Sequence, residues 1–577
     1  MGAKNFKTSL IAVLIALLSA ICYFQTLRNG FVSDDEFTVV KNQAVNGQEK
    51  ILKIFTSRFV EYSVMPGVYY RPITTFTFWL DYRLWGAKAF GFHLTNIILH
   101  MLCSLLVYFI IRRWSASGLA GAITGLLFAA HPAHTQSVCW ISGRTDVVCT
   151  LFGLLAFHIY LRGRDKNPRP DWKVVLVSGL CFALALFAKE LAAVIPLIIL
   201  LAEILRPGAP KFRIDAYRLI LYPVFFWALA FNLFARFMVM GLPFGFSEIH
   251  RHEWYAFGQR DVSRLATVFK ISYYYLATLF YPVNLSFEAK LYPSHSWLDP
   301  VVPASIFAVC AALALAVFSM RRLPGAAMGV FWFFLGLLPV ANIFPIREIA
   351  MEHFLYLPSA GFCLAIASAV SAIDAGLSSR KIKWGNGLIV FALCLIIVCY
   401  VSITLERNPV YKDNFTLWSD AVSKAPAKSR VQYDLGNEQF ARGETQTAIR
   451  SWKRALLADP NNYGAYYNLG SAYFGLGQFD QSVGAFRQAI KIQPDFPDAL
   501  NGLGTVLEKQ GDLAGAAQQY KTALQMVPQS PVLLGNLMRV YLRLGRCEEI
   551  WQMRKLLEQS QPKDILQTLG QVCPPPK

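Results

Sequence analysis

Charge is what this sequence has least of. Only 16% of its 577 residues are Asp, Glu, Lys or Arg, 55% are hydrophobic, and the mean hydropathy is +0.38, which excludes an ordinary soluble protein of this size. Cysteines at metal-binding spacing are also lacking. None of the eleven forms a CxxC or Cys/His pattern, and nine lie within or beside apolar runs, so no zinc site is indicated. The first apolar run, Leu10 to Phe24, has no small-residue cleavage site and continues through Tyr23, Phe24 and Gln25, so it reads as an anchor, not a removed leader. Acidic residues are outnumbered, leaving a formal net charge of +19. The excess sits in short loops, at Arg112-Arg113, Arg162 to Lys173, Arg206 to Arg218, Arg321-Arg322 and Arg380, Lys381 and Lys383. Clusters there are cytoplasmic anchors under the positive-inside rule, which argues against a nucleic-acid partner.

What the sequence does have is long apolar runs. Only a helix satisfies its own backbone in hydrocarbon, so the expected fold is all-α. With the first run, the stretches Leu94 to Ile111, Gly118 to Ala130, Val147 to Leu161, Val174 to Phe187, Leu191 to Leu205, Leu219 to Met240, Val301 to Phe318, Ala326 to Val340, Phe354 to Ile373 and Leu388 to Leu405 give about eleven spans. Leu265 to Tyr281 is expected to be a re-entrant or partly embedded helix, because a full crossing there would put the Arg321 and Arg380 clusters outside. With the N-terminus cytoplasmic, residues 28–93 form a large outer loop, residues 1–406 the membrane domain, and everything after Glu406 lies on the non-cytoplasmic side.

Beyond the last span the chain repeats every 34 residues: Leu435-Gly436, Leu469-Gly470 and Leu503-Gly504; Gly443, Gly477, Gly511 and Gly545; Ala455, Ala489 and Ala523; Pro426, Pro460, Pro494, Pro528 and Pro562. That period marks tetratricopeptide (TPR) helical hairpins. Small residues let two helices approach, Trp452, Phe486 and Tyr520 fill the gap, and proline ends each second helix. Residues 407–428 are expected to be a bridging half-repeat that docks the array on the membrane, 429–562 the repeat domain and 563–577 a tail. Stacked hairpins form a groove for an extended peptide or partner protein, and Asn468, Asn501 and Asn536 fall near its inner side, where amides can grip a peptide backbone or simply cap and face water. Cys547 and Cys573 can pair where the tail faces an oxidising compartment.

Candidate chemistry gathers at the outer turns. Asp34, Asp35 and Glu36 follow the first span directly. Low-dielectric surroundings raise a carboxylate's pKa, so one of the first two can serve as a general base. Isolated cations that can clamp a phosphate stand at other outer turns: Arg71 after Tyr70 in YYRP, Arg144 in ISGRTD, Lys189 in AKEL, and Arg347 near Glu352 and His353. Interfacial snorkelling and local ion pairs compete with that reading for each one. His131 and His134 in HPAHT, with His93 and His100, suit hydrogen bonding to phosphate or backbone better than metal ligation, because no carboxylate stands at matching spacing. The acidic triplet still leaves room for a divalent ion that helps phosphate leave.

In order along the chain, FVSDDEFTVVKN, YYRPI, FHLTNIILH, HPAHTQSVCWISGRTD, AKEL and EHFLYLPSAGF, then the repeats, resemble the TMTC-like (transmembrane and tetratricopeptide repeat) O-mannosyltransferases of the GT-C glycosyltransferase superfamily. The resemblance covers nearly the whole chain. It implies a polyprenyl-phosphate-linked sugar as donor and transfer to Ser or Thr hydroxyls on the non-cytoplasmic side. It also implies a base in the first outer loop, which is Asp34 or Asp35 here. Arg71, His93, Arg144, Lys189, Glu190, Glu352 and Tyr356 match the other motif positions. The chain departs from the pattern at His353, where the family places arginine, and Arg347 is the candidate substitute. No further cofactor is implied. The expected mechanism is a single displacement that inverts the anomeric carbon. Rival expectations keep the fold with a glycolipid or polysaccharide acceptor, or make the chain a non-enzymatic membrane scaffold for envelope assembly.

Overall fold

The computed structural model describes residues 3–47, 49–59, 69–166, 171–207, 216–241, 261–294, 296–343, 349–380, 385–553 and 573. Helices and turns account for them, with no strand among the described residues. The chain divides into two compact units, residues 1–417 and 418–577.

In the first unit the described helices of ten residues or more, in chain order, are α1 Ala3–Tyr23, α2 Pro72–Trp85, α3 Ala89–Trp114, α4 Gly118–Ala130, α5 Arg144–Lys166, α6 Trp172–Ala188, α7 Ile195–Ile204, α8 Ala216–Met240, α9 Asp261–Phe280, α10 Val301–Ser319, α11 Pro324–Leu337, α12 Pro358–Ser379 and α13 Gly385–Arg407. Each of the eleven expected spans falls on one of these. Among the described residues seven segments are long and apolar enough to cross a membrane, while 118–130, 172–188 and 324–340 are shorter apolar helices. The remaining expected span is the least regular. The run from Leu191 begins as a 3-10 turn, Glu190–Val194, and only 10 residues of α-helix follow.

These helices show why composition alone cannot make the bundle. Along α3, Phe90, Ile98 and Leu102 are exposed, while His93, Asn96, His100 and Ser104 are buried. The apolar face suits hydrocarbon and the polar face needs partners inside. Helices α11 and α12 meet backbone to backbone at Gly329 and Gly361, where a Cβ on either would overlap the other's carbonyl oxygen. Small residues permit this approach where lipid supplies no hydrophobic drive between helices.

One end of the bundle collects the ends of α1, α4, α6, α8 and α13 and the starts of α3, α5 and α12 through contacts given below. The opposite end holds an ion-pair network in which Asp165 takes Arg113 at 2.7 Å and Arg206 at 2.5 Å, beside an Arg164–Glu203 pair at 2.9 Å. Helix α8 arrives at the first end and α10 leaves from it. Lys270, midway along α9, bonds Asp299, just before α10, at 2.8 Å.

Helix α14 Asn414–Lys424 runs across the division into the second unit, whose described part is a row of hairpins: α15 Ser429–Ala441, α16 Thr445–Ala458, α17 Tyr463–Gly475, α18 Phe479–Ile492, α19 Pro497–Gln510, α20 Leu513–Met526, α21 Pro531–Arg543 and α22 Cys547–Gln552. Close approach explains the Leu-Gly pairs. A Cβ at Gly436, Gly470 or Gly504 would fall within 2.8 Å of Trp452, Phe486 or Tyr520 respectively. Cys547 and Cys573 form a disulfide with Cα atoms 5.4 Å apart, and Trp551 Nε1 donates to the Cys573 carbonyl at 3.0 Å.

Candidate active site

The segment HPAHTQSVCWISGRTD is the hub of the site. It lies inside the run 127–150, every residue of which is buried, and its polar side chains reach different elements. His131 Nε2 meets the Leu279 carbonyl oxygen of α9 at 3.1 Å, and His134 Nε2 meets Ser359 Oγ of α12 at 2.7 Å. Gln136 donates to the Phe287 carbonyl at 3.1 Å and accepts from the His353 amide at 2.9 Å. Cys139 donates to Asn408 Oδ1 at 3.1 Å. In a buried loop each polar group must find such a partner, and here the partners are the turns between other helices.

The acidic motif is fastened to this hub. Asp35 is fully buried and accepts from the Ser142 amide at 2.8 Å, Ser142 Oγ at 2.6 Å and the Val32 amide at 3.0 Å. Thr38 Oγ1 lies 2.7 Å from Ser142 Oγ. Burial pushes the Asp35 carboxyl up to about 7, against the lowering effect of these hydrogen bonds. Its two neighbours differ. Asp34 is half-buried, and Glu36 is exposed and paired with Lys41 at 2.8 Å. Just before them Ser33 takes φ 54°, an uncommon conformation for a residue with a Cβ, and turns the chain so that adjacent carboxylates face different surroundings.

The cations gather beside the hub in linked pairs. Lys189 donates to both oxygens of buried Asp146, at 2.7 and 2.8 Å, and its ammonium sits 5.0 Å from the Phe354 ring centre. Arg71 bonds Glu190 Oε1 at 2.7 Å and stacks on Tyr69 at 4.2 Å. A residue of α8, Arg236, takes Glu190 Oε2 at 3.0 Å. The His353 ring is 4.0 Å from Asp146. Burial, with Lys189 and Arg71 nearby, holds its pKa well below the ordinary histidine value, so it is a neutral imidazole at pH 7.

Arg144 is placed differently. It is 0% exposed, and its guanidinium is spent on Asp81 at 2.6 Å, Asn96 Oδ1 at 2.6 Å and the Phe92 carbonyl at 2.8 Å, between the rings of Phe78 and Phe92. That geometry ties α2, α3 and α5 together. His93 Nε2 is 3.4 Å from the Gly30 carbonyl oxygen on the same side. His134 packs with Tyr356, whose hydroxyl is 2.7 Å from His100 Nδ1. Burial pushes the His131 pKa down to about 4. Tyr70 donates to the Phe55 carbonyl at 2.9 Å, and Glu352 accepts from the Ser286 amide. Arg347 lies outside the described residues. No group of three or more His, Cys, Asp or Glu arranged to hold a metal occurs among the described residues.

In the repeats, Asn468 donates to Asn437 at 2.7 Å and Asn536 to Asn501 at 2.8 Å. Asn437 also accepts from Trp452 at 3.0 Å. The half-buried asparagines therefore form rungs between neighbouring repeats, with part of their amide capacity used.

Several of these residues carry no role in the sequence pattern alone. Asp146 stands in a quoted motif but its pairing with Lys189 spans 43 residues. Ser142 and Gln136 are ordinary polar residues until their partners appear. Arg236 does leave a signal, since an arginine inside an apolar span is costly and asks for a partner.

Residues 70–236 match the family model described as dolichyl-phosphate-mannose-protein mannosyltransferase, and residues 436–477 and 467–531 match tetratricopeptide-repeat models. A protein O-mannosyl-transferase of Caenorhabditis elegans is 27% identical, with 78% of this chain and 63% of the relative aligned. The protein O-mannosyl-transferase TMTC1 of Homo sapiens is 24% identical over 78% of this chain and 55% of the relative. The chain thus spans a little over half the length of these curated relatives. Among solved structures, a crystal structure of the MamA protein aligns with 25% of this chain and 79% of its own, at 24% identity and a TM-score of 0.24.

Proposed function

We propose that this chain, TMTC-like in its order of domains and GT-C-like in its membrane unit, is a membrane O-mannosyltransferase. It moves a sugar from a polyprenyl-phosphate carrier to Ser or Thr hydroxyls of a protein held by the repeats. The observation that carries this reading is the fastening of the acidic loop to the 142–146 turn, with Arg71, Lys189 and Arg236 gathered at the same end of the bundle.

The two aspartates divide the work. Asp35 is enclosed and uses three donors, so it anchors the loop. Asp34, half-buried beside it, is the general base. The acceptor hydroxyl gives its proton to Asp34 as its oxygen bonds the anomeric carbon from one side. The bond from that carbon to the phosphate oxygen breaks on the other side, so configuration inverts. The electron pair stays on the phosphate, which changes from a phosphodiester monoanion to a phosphomonoester dianion. Fixed cations in a partly dry site stabilise that growing charge more than water would. Arg71 and Lys189 are the cations for this role, while Arg144 positions the turn through Asp81 and Asn96.

Sidedness follows the same logic. The basic residues Arg113, Arg164 and Arg206 lie at the end away from Asp34, and the positive-inside rule puts that end in the cytoplasm. The Cys547–Cys573 disulfide fits a repeat unit in an oxidising compartment. The test is transfer by the purified full chain from a polyprenyl-phosphate mannose to a Ser/Thr-rich peptide. The product should be a peptide O-linked to mannose with inverted configuration. Absence of sugar on the peptide, with donor intact, would contradict the proposal.

A further inference from the structure

Arg236 lies on a helix whose second half is turned largely to lipid. Phe231, Phe234 and Phe237 of α8 are 60%, 59% and 52% exposed, whereas Asn232 and Arg236, one turn apart, are 2% and 6% exposed. A charge within a membrane-spanning helix is costly unless it is paired. The structure shows how it is held: Nε donates to Asn232 Oδ1 at 3.0 Å, and the guanidinium takes the second oxygen of Glu190 at 3.0 Å, while Arg71 holds the first at 2.7 Å. One carboxylate therefore serves two guanidiniums.

Among the described residues the local charge does not balance. With Lys189 and Asp146 adjacent in the chain to this group and to the hub, three cations, Arg71, Arg236 and Lys189, face two carboxylates, Glu190 and Asp146. Two buried donors also have no hydrogen-bond partner among the described residues, Arg71 Nε and Asn232 Nδ2. Buried donors left unmade cost free energy. A site with one spare positive charge and spare donors fits one anionic group.

We infer that Arg236 is a positioning residue for a phosphate site. By holding Glu190 from the lipid-facing helix it fixes the Arg71 guanidinium to receive the phosphate of a polyprenyl-phosphate ligand. The inference rests on the function proposed above and names a residue for its donor site. The lipid-facing side of α8 suits a ligand whose phosphate arrives attached to a hydrocarbon chain, and the monoanionic phosphodiester of the donor matches the single spare charge.

The experiment measures binding of a long-chain polyprenyl phosphate, and separately of the unphosphorylated polyprenol, to the purified full chain in detergent. Arg236→Met should weaken polyprenyl phosphate binding about ten- to a hundredfold, the range for a lost charged hydrogen bond, and leave polyprenol binding unchanged. Asn232→Ala, a milder change, should weaken phosphate binding several-fold in the same direction, and Arg236→Lys should restore part of the loss. In the double variant Arg71→Met with Arg236→Met, the losses should fall short of the product of the single ones, because both act through Glu190. Equal phosphate affinity in wild type, Arg236→Met and Asn232→Ala would overturn the inference, as would parallel loss of phosphate and polyprenol binding. A wild-type chain that binds the phosphate but transfers no sugar sinks the proposed function, and the binding series still decides the role of Arg236.

Discussion

The two units of this chain are stabilised by opposite uses of polar residues. In the membrane unit the site is built from buried ions in pairs, Asp146 with Lys189, Asp81 with Arg144 and Glu190 with two arginines. In the repeat unit the core is aromatic on glycine, as Trp452 on Gly436, and the charged pairs sit outside, where Arg539 meets Glu508 at 3.0 Å with its side chain 53% exposed. The difference teaches where substitution should hurt chemistry and where it should hurt only folding. Buried ions of fixed geometry are poor stabilisers but hard to remove singly, since the partner is stranded. Exposed pairs contribute little.

The sharpest break between the units should come from the proposed base. Asp34→Asn is expected to lower sugar transfer by about 10²- to 10⁴-fold with an unchanged melting profile, measured as initial rate with purified donor and peptide. Asp35→Ala should also lower the rate, on the order of 10²-fold if the loop shifts by about 1 Å. Next comes stranding of a charge. Asp146→Asn leaves Lys189 buried without its counterion and should destabilise the membrane unit by about 3–5 kcal/mol, read as a lower thermal midpoint in detergent. On the other side of the comparison, Trp452→Ala should cost the repeat unit a similar ~3–5 kcal/mol while polyprenyl phosphate binding stays at the wild-type level. Loss of that binding would show that the units are not separable in this way.

A smaller effect follows from pH. The Asp35 carboxyl titrates at about 7 in the folded chain against 3.8 ordinarily, so the folded chain binds the extra proton between those values. Stability from this group is present below about pH 4 and is lost as pH rises through 7, by at most ~1.4 kcal/mol per unit. Thermal midpoints at pH 5 and 8 should therefore differ more in wild type than in Asp35→Asn. Smallest of all, Asn536→Ala removes one rung to Asn501 and should cost only about 0.5–1.5 kcal/mol.

The same contrast explains what could be read from sequence. The repeats encode their packing locally: Leu435-Gly436 and Trp452 lie within one hairpin, so the 34-residue period announces both contact and partner. Hydropathy placed the membrane helices, because lipid imposes one requirement on all of them. It did not show that the α7 run opens, and the α11 run closes, in a 3-10 turn, since the hydropathy of a run does not say where a helix gives way to such a turn. Within the site, the residue types were visible but the pairings were not. Asp35 meets Ser142 across 107 residues and Arg71 meets Glu190 across 119, and no local spacing encodes such contacts. Arg144 looked like a free outer cation because its counterion, Asp81, sits in a helix 63 residues upstream.

A structure of the full chain with a polyprenyl-phosphate sugar bound tests the central claim most directly. The account predicts a phosphate oxygen within about 3 Å of an Arg71 or Lys189 nitrogen and the anomeric carbon on the Asp34 side. A phosphate lodged at the opposite end, beside Arg113 and Arg206, would contradict it.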